Sequence, residues 1–479
     1  MEIFMKKLTN TFVYIFAAFL AVILAMNIIN LVSGASQTGF SDVLTGILYS
    51  LLIMTAAFLI KSSKNITGKK KTAVLIAIIA AGTAVRIAYV RFAKTVPISD
   101  YETMYNGAKS VAALDFSCFD KFTYFHRFVH MTTFTLVCGL LFRIFGVSVF
   151  AVQLASALLS GLCIFIIYLI GKKISGEKLG LICALLYAAF IPSIAYCAVF
   201  TSENFAMPFL LLSLYFVISA YRSVQRWAVC ANMLAAGAFL AVGCLFRGVA
   251  PFYISAYVIG ALTVFAKKTK FLSCVSLAAA FFLIFTTVGS IYYKTGITKY
   301  RLTNGGVPFT VYMLVGFNFE TGGMFSADDQ NIYFEAGKDK DKMAEIVKER
   351  LIKRISDNKE KIIGLMFKKT NTIFGYGEFN SVYWSYGNNG TEGAKPYLYT
   401  LYRTASVYYI MLLALCLYIA LTSKNKGLLC LLALMILGFE GGLMLMEVQS
   451  RYTYSVAYVF VIIASSALFD IGHHKKNRG

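Results

Sequence analysis

"YFHRFVHMTTFTLVCGLLFRIFG", residues 124–146, is the stretch on which the fold turns. It is apolar enough to form a helix, and its length would roughly reach across a bilayer. Counted as a span, it reverses every later loop and carries Lys172, Lys173 and Lys178 to the side opposite the other lysine clusters. Short loops rich in Lys and Arg gather on one side of a membrane. The stretch therefore reads as a helix lying on the outer surface, with His126, Arg127 and His130 marking its wetter end.

The surrounding chain supports that choice. Its 479 residues are 58% hydrophobic and 14% charged, against roughly 25% charged in soluble domains. Apolar runs of about 20 residues recur throughout, and such runs read as transmembrane helices. About twelve spans are expected: roughly 11–33, 43–60, 72–92, 151–171, 179–198, 204–221, 228–246, 250–266, 271–292, 401–421, 427–446 and 452–470. The fold class is an all-α polytopic membrane protein. Lys6 and Lys7 precede the first run, which is longer than the ~7–15-residue core of a signal peptide, so an uncleaved first span is expected.

The net charge of +22 would suggest a nucleic-acid partner in a soluble protein. Here the cations sit in short loops: Lys61, Lys64 and Lys69 to Lys71, then Lys172, Lys173 and Lys178, then Arg222 and Arg226, then Lys267, Lys268 and Lys270, then Lys424 and Lys426, and finally Lys475, Lys476 and Arg478. With 124–146 on the surface they all share one face, so orientation explains them and both termini are expected in the cytosol. Most of the ten cysteines lie inside apolar runs and none forms a CxxC pair, so neither a disulfide framework nor a zinc ribbon is indicated.

Two long segments remain outside, 93–150 and 293–400. Within the second, 339–375 carries mixed charge at helical spacing and is expected as an amphipathic surface helix. "GYGEFNSVYWSYGNNGTEG", 375–393, follows as an aromatic, Gly/Asn-rich loop.

This topology brings ionisable residues to one external face. Asp100 and Glu102 follow the third span, Glu203 opens the sixth, Arg247 lies between the seventh and eighth, and Glu447 and Arg451 lie between the last two. Lys299 and Arg301 begin the large loop. Ionisable groups at membrane depth cost several kcal/mol unless paired or wet, which makes them candidates for function. Each also has a plainer reading. The two acids could be loop charges, Glu203 could cap a helix with Ser202, and the arginines could snorkel to headgroups. His126 and His130 are four apart, a spacing that can hold a metal, but two ligands do not make a site.

"PISDYETMYNGAKSVAA", 97–113, resembles the first external loop of GT-C membrane glycosyltransferases, in the branch that includes dolichyl-phosphate-mannose–protein mannosyltransferases and bacterial lipid A aminoarabinose transferases. "CGLLFRIFGVSVFAVQLASALLSG", 138–161, is similar to that branch's second surface helix, and "TSENFAMPFLLLSLYF", 201–216, to its Ser-Glu element. "LFRGVAPFY", 245–253, resembles its Arg element, and "EVQSRYTYSVAYVFVIIAS", 447–465, its C-terminal Arg-Tyr signature. "YMLVGFNFETGGMFSADD", 312–329, looks like a Gly-rich loop of Gram-positive relatives. The order holds from about residue 72 to the end. Two features depart from the pattern: Tyr101 separates acids that are often adjacent, and a Pro-Pro pair is absent around His126 to Thr133.

The resemblance implies a GT-C-like bundle of about twelve helices with external juxtamembrane helices. Residues 1–71 would form an extra N-terminal hairpin with a Lys-rich cytosolic loop. Residues 72–292 would be the core, including an external catalytic loop at 93–150. Residues 293–400 would be an external region, and 401–479 the last spans with a basic cytosolic tail. It implies inverting transfer of a sugar from a polyprenyl-phosphate carrier to a cell-envelope glycan, lipid or protein, at the outer face of a bacterial cytoplasmic membrane. Asp100 would be the general base. Arg247 and Arg451, with Lys299 or Arg301, would bind the donor phosphate. Glu102 and Glu203 would be acceptor-binding residues or a second acid. No cofactor is required and a divalent cation is optional. The alternatives are a transporter or lipid flippase, with polar groups near the midplane and two related halves, and a non-catalytic polymer-assembly protein.

Overall fold

A computed structural model describes residues 2–34, 40–63, 68–386, 395–424 and 426–470. Lys64, part of the aromatic loop and the basic C-terminal tail lie outside these residues. Among the described residues there are 20 helices and no strands. They are α1 (Glu2–Ser33), α2 (Phe40–Ser62), α3 (Gly68–Ala93), α4 (Asp100–Ala112), α5 (Tyr124–Arg127), α6 (Thr132–Phe145), α7 (Val149–Ala188), α8 (Ile191–Ala195), α9 (Glu203–Arg222) and α10 (Arg226–Phe246). The chain continues through α11 (Ala250–Val264), α12 (Lys270–Lys294), α13 (Phe309–Gly316), α14 (Ala327–Glu335), α15 (Lys340–Ser356), α16 (Ile362–Phe374), α17 (Ser381–Tyr386), α18 (Lys395–Thr422), α19 (Lys426–Met444) and α20 (Tyr454–Asp470).

Ten of these are long and apolar enough to cross a membrane: α1, α2, α3, α7, α9, α10, α12, α18, α19 and α20 together with the turn before it. Two further spans expected from the sequence correspond to the second arm of α7 and to α11, which is apolar but has only 15 residues. A straight helix as long as the 40-residue α7 would extend about 60 Å, twice the hydrocarbon thickness. It folds back instead at Ser175 and Gly176, where φ +83° and ψ −174° suit a residue without a Cβ. Beyond this bend the arms run antiparallel. Gly171 faces Gly180 so closely that an added Cβ would stand 2.9 Å from its Cα. At the open end Gln153 donates to the Ala198 carbonyl at 2.6 Å. Glu177 fastens the bend by accepting from the Tyr168 hydroxyl and pairing with Lys71 at 3.1 Å and Lys172 at 2.9 Å.

The deciding stretch, 124–146, does not form one through-going helix. It breaks into α5, a 3-10 turn at Val129–Met131, and α6. The 14 residues of α6 reach about 21 Å, short of the roughly 30 Å core. Phe134, Cys138 and Phe142 are buried, and Gly139 lets α6 settle on α4 beside Val111. The break also separates His126 from His130, so their spacing of four is not carried by a continuous helix.

Residues 339–375 differ from the single surface helix expected. They form α15, a 3-10 turn at Lys359–Lys361, and α16. The two helices do different work. α15 joins α13 and α14 around a small core of Val311, Leu314, Ile332, Tyr333, Ala336, Met343 and Val347. Arg354 locks that unit by pairing with Asp329 at 2.8 Å and donating to the Leu314 carbonyl at 2.8 Å. α16 descends to the main bundle, where fully buried Lys369 donates to the carbonyls of Gly316, Met444 and Met446 at 3.0, 2.8 and 2.8 Å.

The N-terminal hairpin is packed into the bundle. Val13, Phe16, Leu20 and Ile23 of α1 are buried against α18 and α19, and α2 packs on α18 and α7. In α3, fully buried Arg86 donates to the Ser160 and Ser193 hydroxyls at 2.8 and 2.5 Å, and to the carbonyls of Gly82, Tyr187 and Ala188 at 2.9, 3.3 and 3.2 Å. Such a charge is tolerated because its donors are satisfied by hydroxyl and backbone oxygens.

Candidate functional site

The site is built where several chain turns meet at one end of the bundle, opposite the Glu177–Lys71–Lys172 cluster. α3 ends at Ala93, and an extended segment leads to Ser99, whose φ of 55° and ψ of −129° are strained for a residue with a side chain. That bend starts α4 at Asp100. The Tyr101 amide bonds back to the Ile98 carbonyl, and Tyr101 and Met104 turn into the core while Asp100 is held at its edge.

From the other terminus, α19 ends at Met444 and the chain runs extended into a 3-10 turn at Ser450–Thr453. That turn points Arg451 at the start of α4. Its Nη2 donates to Asp100 Oδ2 at 3.2 Å, and its Nη1 donates to the Tyr101 hydroxyl at 3.1 Å. The arginine side chain is 9% exposed and the aspartate 40%, so the pair sits at a boundary between protein and surroundings. Trp384 of α17 closes the wall, edge-on to Tyr101 with ring centroids 5.0 Å apart, and its ring lies 6.0 Å from the Arg451 guanidinium carbon.

A second ion pair, this one fully buried, lies deeper. Glu203, the first residue of α9, meets Arg247, just past the end of α10, at 3.3 Å. Their side chains are 0% and 6% exposed. Glu203 also accepts from the Thr201 hydroxyl. The Tyr452 ring links the pairs, with its centroid 5.7 Å from the Arg247 guanidinium carbon and 5.8 Å from that of Arg451. The Tyr452 hydroxyl donates to Glu447 Oε1 at 3.0 Å, and Gln449 donates to the same oxygen at 2.8 Å. Burial pushes the Glu447 carboxyl above its usual range. Alternating acids and arginines thus neutralise one another, as low-polarity surroundings demand. Four donors of this site are without a hydrogen-bond partner among the described residues: Arg451 Nε, Trp384 Nε1 and the hydroxyls of Ser450 and Ser202.

The other candidates stand apart. Glu102 is exposed and makes no ion pair among the described residues. Lys299 and Arg301 are exposed, and Arg301 lies over the Tyr293 ring at 6.0 Å. The His126 ring packs edge-on against Tyr300 at 4.6 Å. His130 lies against Gly248 and lines an apolar cavity of about 280 Å³ with Leu245, Pro251, Phe281, Phe285 and Leu302. Burial, together with Arg247 and Arg451, lowers the His130 pKa to about 3, so it stays neutral. No group of three or more His, Cys, Asp or Glu residues able to hold a metal occurs among the described residues.

Sequence reasoning had not singled out Tyr124 or Trp384, and Tyr452 had entered only within the Arg-Tyr signature. Tyr124 of α5 stands near Asp100, and its phenol is pushed up by burial first and then by the carboxylate. Tyr101 had stood only as an interruption between two acids, yet it is a direct contact of Arg451. The available signal was the aromatic density of 375–386 and of "SRYTYS".

Residues 131–292 match the family model of the dolichyl-phosphate-mannose-protein mannosyltransferases, a GT-C family domain. The matched region runs from α6 almost to the end of α12 and contains Glu203 and Arg247. Asp100, Arg451 and the first hairpin lie outside it. No curated protein matches the chain.

Proposed function

Starting from a GT-C membrane glycosyltransferase domain, we propose that the protein moves a sugar from a polyprenyl-phosphate carrier to a hydroxyl acceptor at the outer face of a bacterial cytoplasmic membrane. The observation that carries this reading is the cluster of Asp100, Arg451, Glu203 and Arg247, drawn from four separate chain segments to one end of the bundle. The donor phosphate would approach Arg451 and Arg247, where Arg451 Nε and the Ser450 hydroxyl are already desolvated and lack partners. Its isoprenoid chain would follow the apolar cavity beside Arg247.

Asp100 and Arg451, expected separately as base and phosphate ligand, are paired with each other. That pairing suggests an order of events. A phosphate anion competes for the guanidinium, and the displaced carboxylate turns to the acceptor. The acceptor oxygen then forms a bond to the anomeric carbon as its proton passes to Asp100. The bond from that carbon to the phosphate oxygen breaks, and its electron pair leaves with the polyprenyl phosphate. The displacement inverts the anomeric centre. Two guanidinium groups meet the departing anion, so this reading requires no metal.

The test is transfer from a panel of radiolabelled undecaprenyl-phosphate sugars in membranes, comparing wild type with Asp100→Asn. Loss of a general base should lower transfer about 10²- to 10⁴-fold at unchanged protein level. Equal transfer by both proteins would overturn the role of Asp100. A transporter would move labelled carrier across vesicles with no new glycosidic bond.

A further inference from the structure

The end of α16 is an unusual junction. A helix leaves its last carbonyls without intrahelical partners, and when they are buried something else must satisfy them. Three successive carbonyls here are met by side chains from two distant parts of the chain. Ile373 O accepts from the Thr453 hydroxyl at 2.6 Å. Phe374 O accepts from Asn27 Nδ2 at 2.8 Å. Gly375 O accepts from Asn30 Nδ2 at 2.8 Å, and that amide group also donates to Asn371 Oδ1 at 2.8 Å. Phe19, on the same helix as the two asparagines, adds an edge contact to Phe374 with centroids 5.6 Å apart.

Asn27 is 2% exposed in the last two turns of an apolar helix, where its amide also donates to the Ile23 carbonyl of that helix at 2.7 Å. A polar side chain there is expensive and is kept where it has a task. Its neighbours show the task. Thr453 belongs to the turn that presents Arg451, two residues earlier. The chain leaving Gly375 runs through Phe379 and Asn380, both at positive φ, to α17 and Trp384. Further along, the segment is pinned by the Tyr196 hydroxyl on Phe379 O at 2.6 Å and the Thr95 hydroxyl on Ser385 O at 3.0 Å. Asn27 and Asn30 hold its upstream end.

We propose that Asn27 and Asn30 are positioning residues for the Arg451–Trp384 wall, so that the N-terminal hairpin works as a brace for the site. The catalytic consequence rests on the reading of Arg451 as the donor-phosphate ligand; the structural consequence does not. The chain has two tryptophans, and Trp227 is 71% exposed at the start of α10. In a Trp227→Phe background, Trp384 becomes a private reporter of the wall.

The experiment compares Asn27→Leu, Asn30→Ala and Asn27→Gln in that background, purified in detergent. Asn27→Leu keeps the volume but removes the donor; Asn30→Ala is milder, because Asn30 is only half-buried; Asn27→Gln keeps an amide donor. Trp384 emission should shift to the red and become more open to acrylamide quenching in Asn27→Leu, less so in Asn30→Ala, with Asn27→Gln closest to wild type. Gel-filtration profile and helical circular dichroism should be unchanged. In the transfer assay the donor KM should rise about tenfold, the size of one lost hydrogen bond, with a smaller change in kcat. Unaltered Trp384 emission and quenching in both folded donor-loss variants would overturn the brace. An altered Trp384 with no transfer by any protein, wild type included, would leave the brace standing and overturn the enzymatic reading instead.

Discussion

At the scale of single residues, the Glu203–Arg247 pair is where charge is most committed. Both side chains are almost fully buried and each is the other's principal countercharge. A buried pair adds little net stability when intact, but loss of one partner strands the other and costs about 3–5 kcal/mol. Arg247→Ala should therefore lower the melting temperature sharply. The double variant Glu203→Gln/Arg247→Gln should regain most of that loss, because no charge is left unpaired, and should still transfer no sugar. Thermal unfolding in detergent beside the transfer assay checks both halves. A double variant as unstable as Arg247→Ala would show that shape rather than charge balance governs this spot.

At the scale of elements, α17 depends on one carboxylate. Glu378 is 3% exposed and accepts from the amides of Asn380 at 2.8 Å, Val382 at 2.9 Å and Tyr383 at 3.4 Å, which caps the helix that carries Trp384. Burial outweighs those three amides and raises its pKa from 4.5 to about 7. The sign follows directly. Between pH 4.5 and 7 the folded chain holds this proton and the unfolded chain releases it, so stability falls as pH rises through that window and is flat above it. The span corresponds to about 3 kcal/mol at most. A pH series of melting temperatures should show the decline in wild type, and it should be markedly shallower in Glu378→Gln, with Glu447, also raised by burial, contributing in the same direction. A wild-type curve that rises across that window would mean the amides dominate. α16 and α15 make a complementary point: mixed charge at helical spacing indicated helix throughout 339–375, but periodicity does not register where Asn358 and Lys361 interrupt it.

At the scale of the whole molecule, the two ends of the bundle are chemically distinct. Lys71, Lys172 and Glu177 gather at one, and Asp100, Arg247 and Arg451 at the other. If the lysine end is cytosolic, a cysteine placed at Glu320 should react with a membrane-impermeant maleimide on intact cells. One placed at Lys70 should react only after permeabilisation. Both belong in a background in which the native cysteines, all free among the described residues, have been replaced. The opposite labelling pattern would invert the topology and with it the proposed outward-facing site.

The apolar runs, the lysine asymmetry and the spacing of Asp100, Glu203, Arg247 and Arg451 were legible in the sequence, because span length and hydropathy are local properties set by the bilayer. That 124–146 would not be a single span was expected from a charge count over loops far from it, and its longest helix, α6, has 14 residues. Pairing was not legible. That Arg451 would meet Asp100 and Tyr101, that Asn27 and Asn30 would cap a helix 347 and 345 residues away, and that Tyr452 would lie between two guanidinium groups depend on how separated helices approach. Buried polar atoms must find partners wherever the packing places them. The sequence supplied the donors and acceptors, and only the tertiary structure decided which of them met.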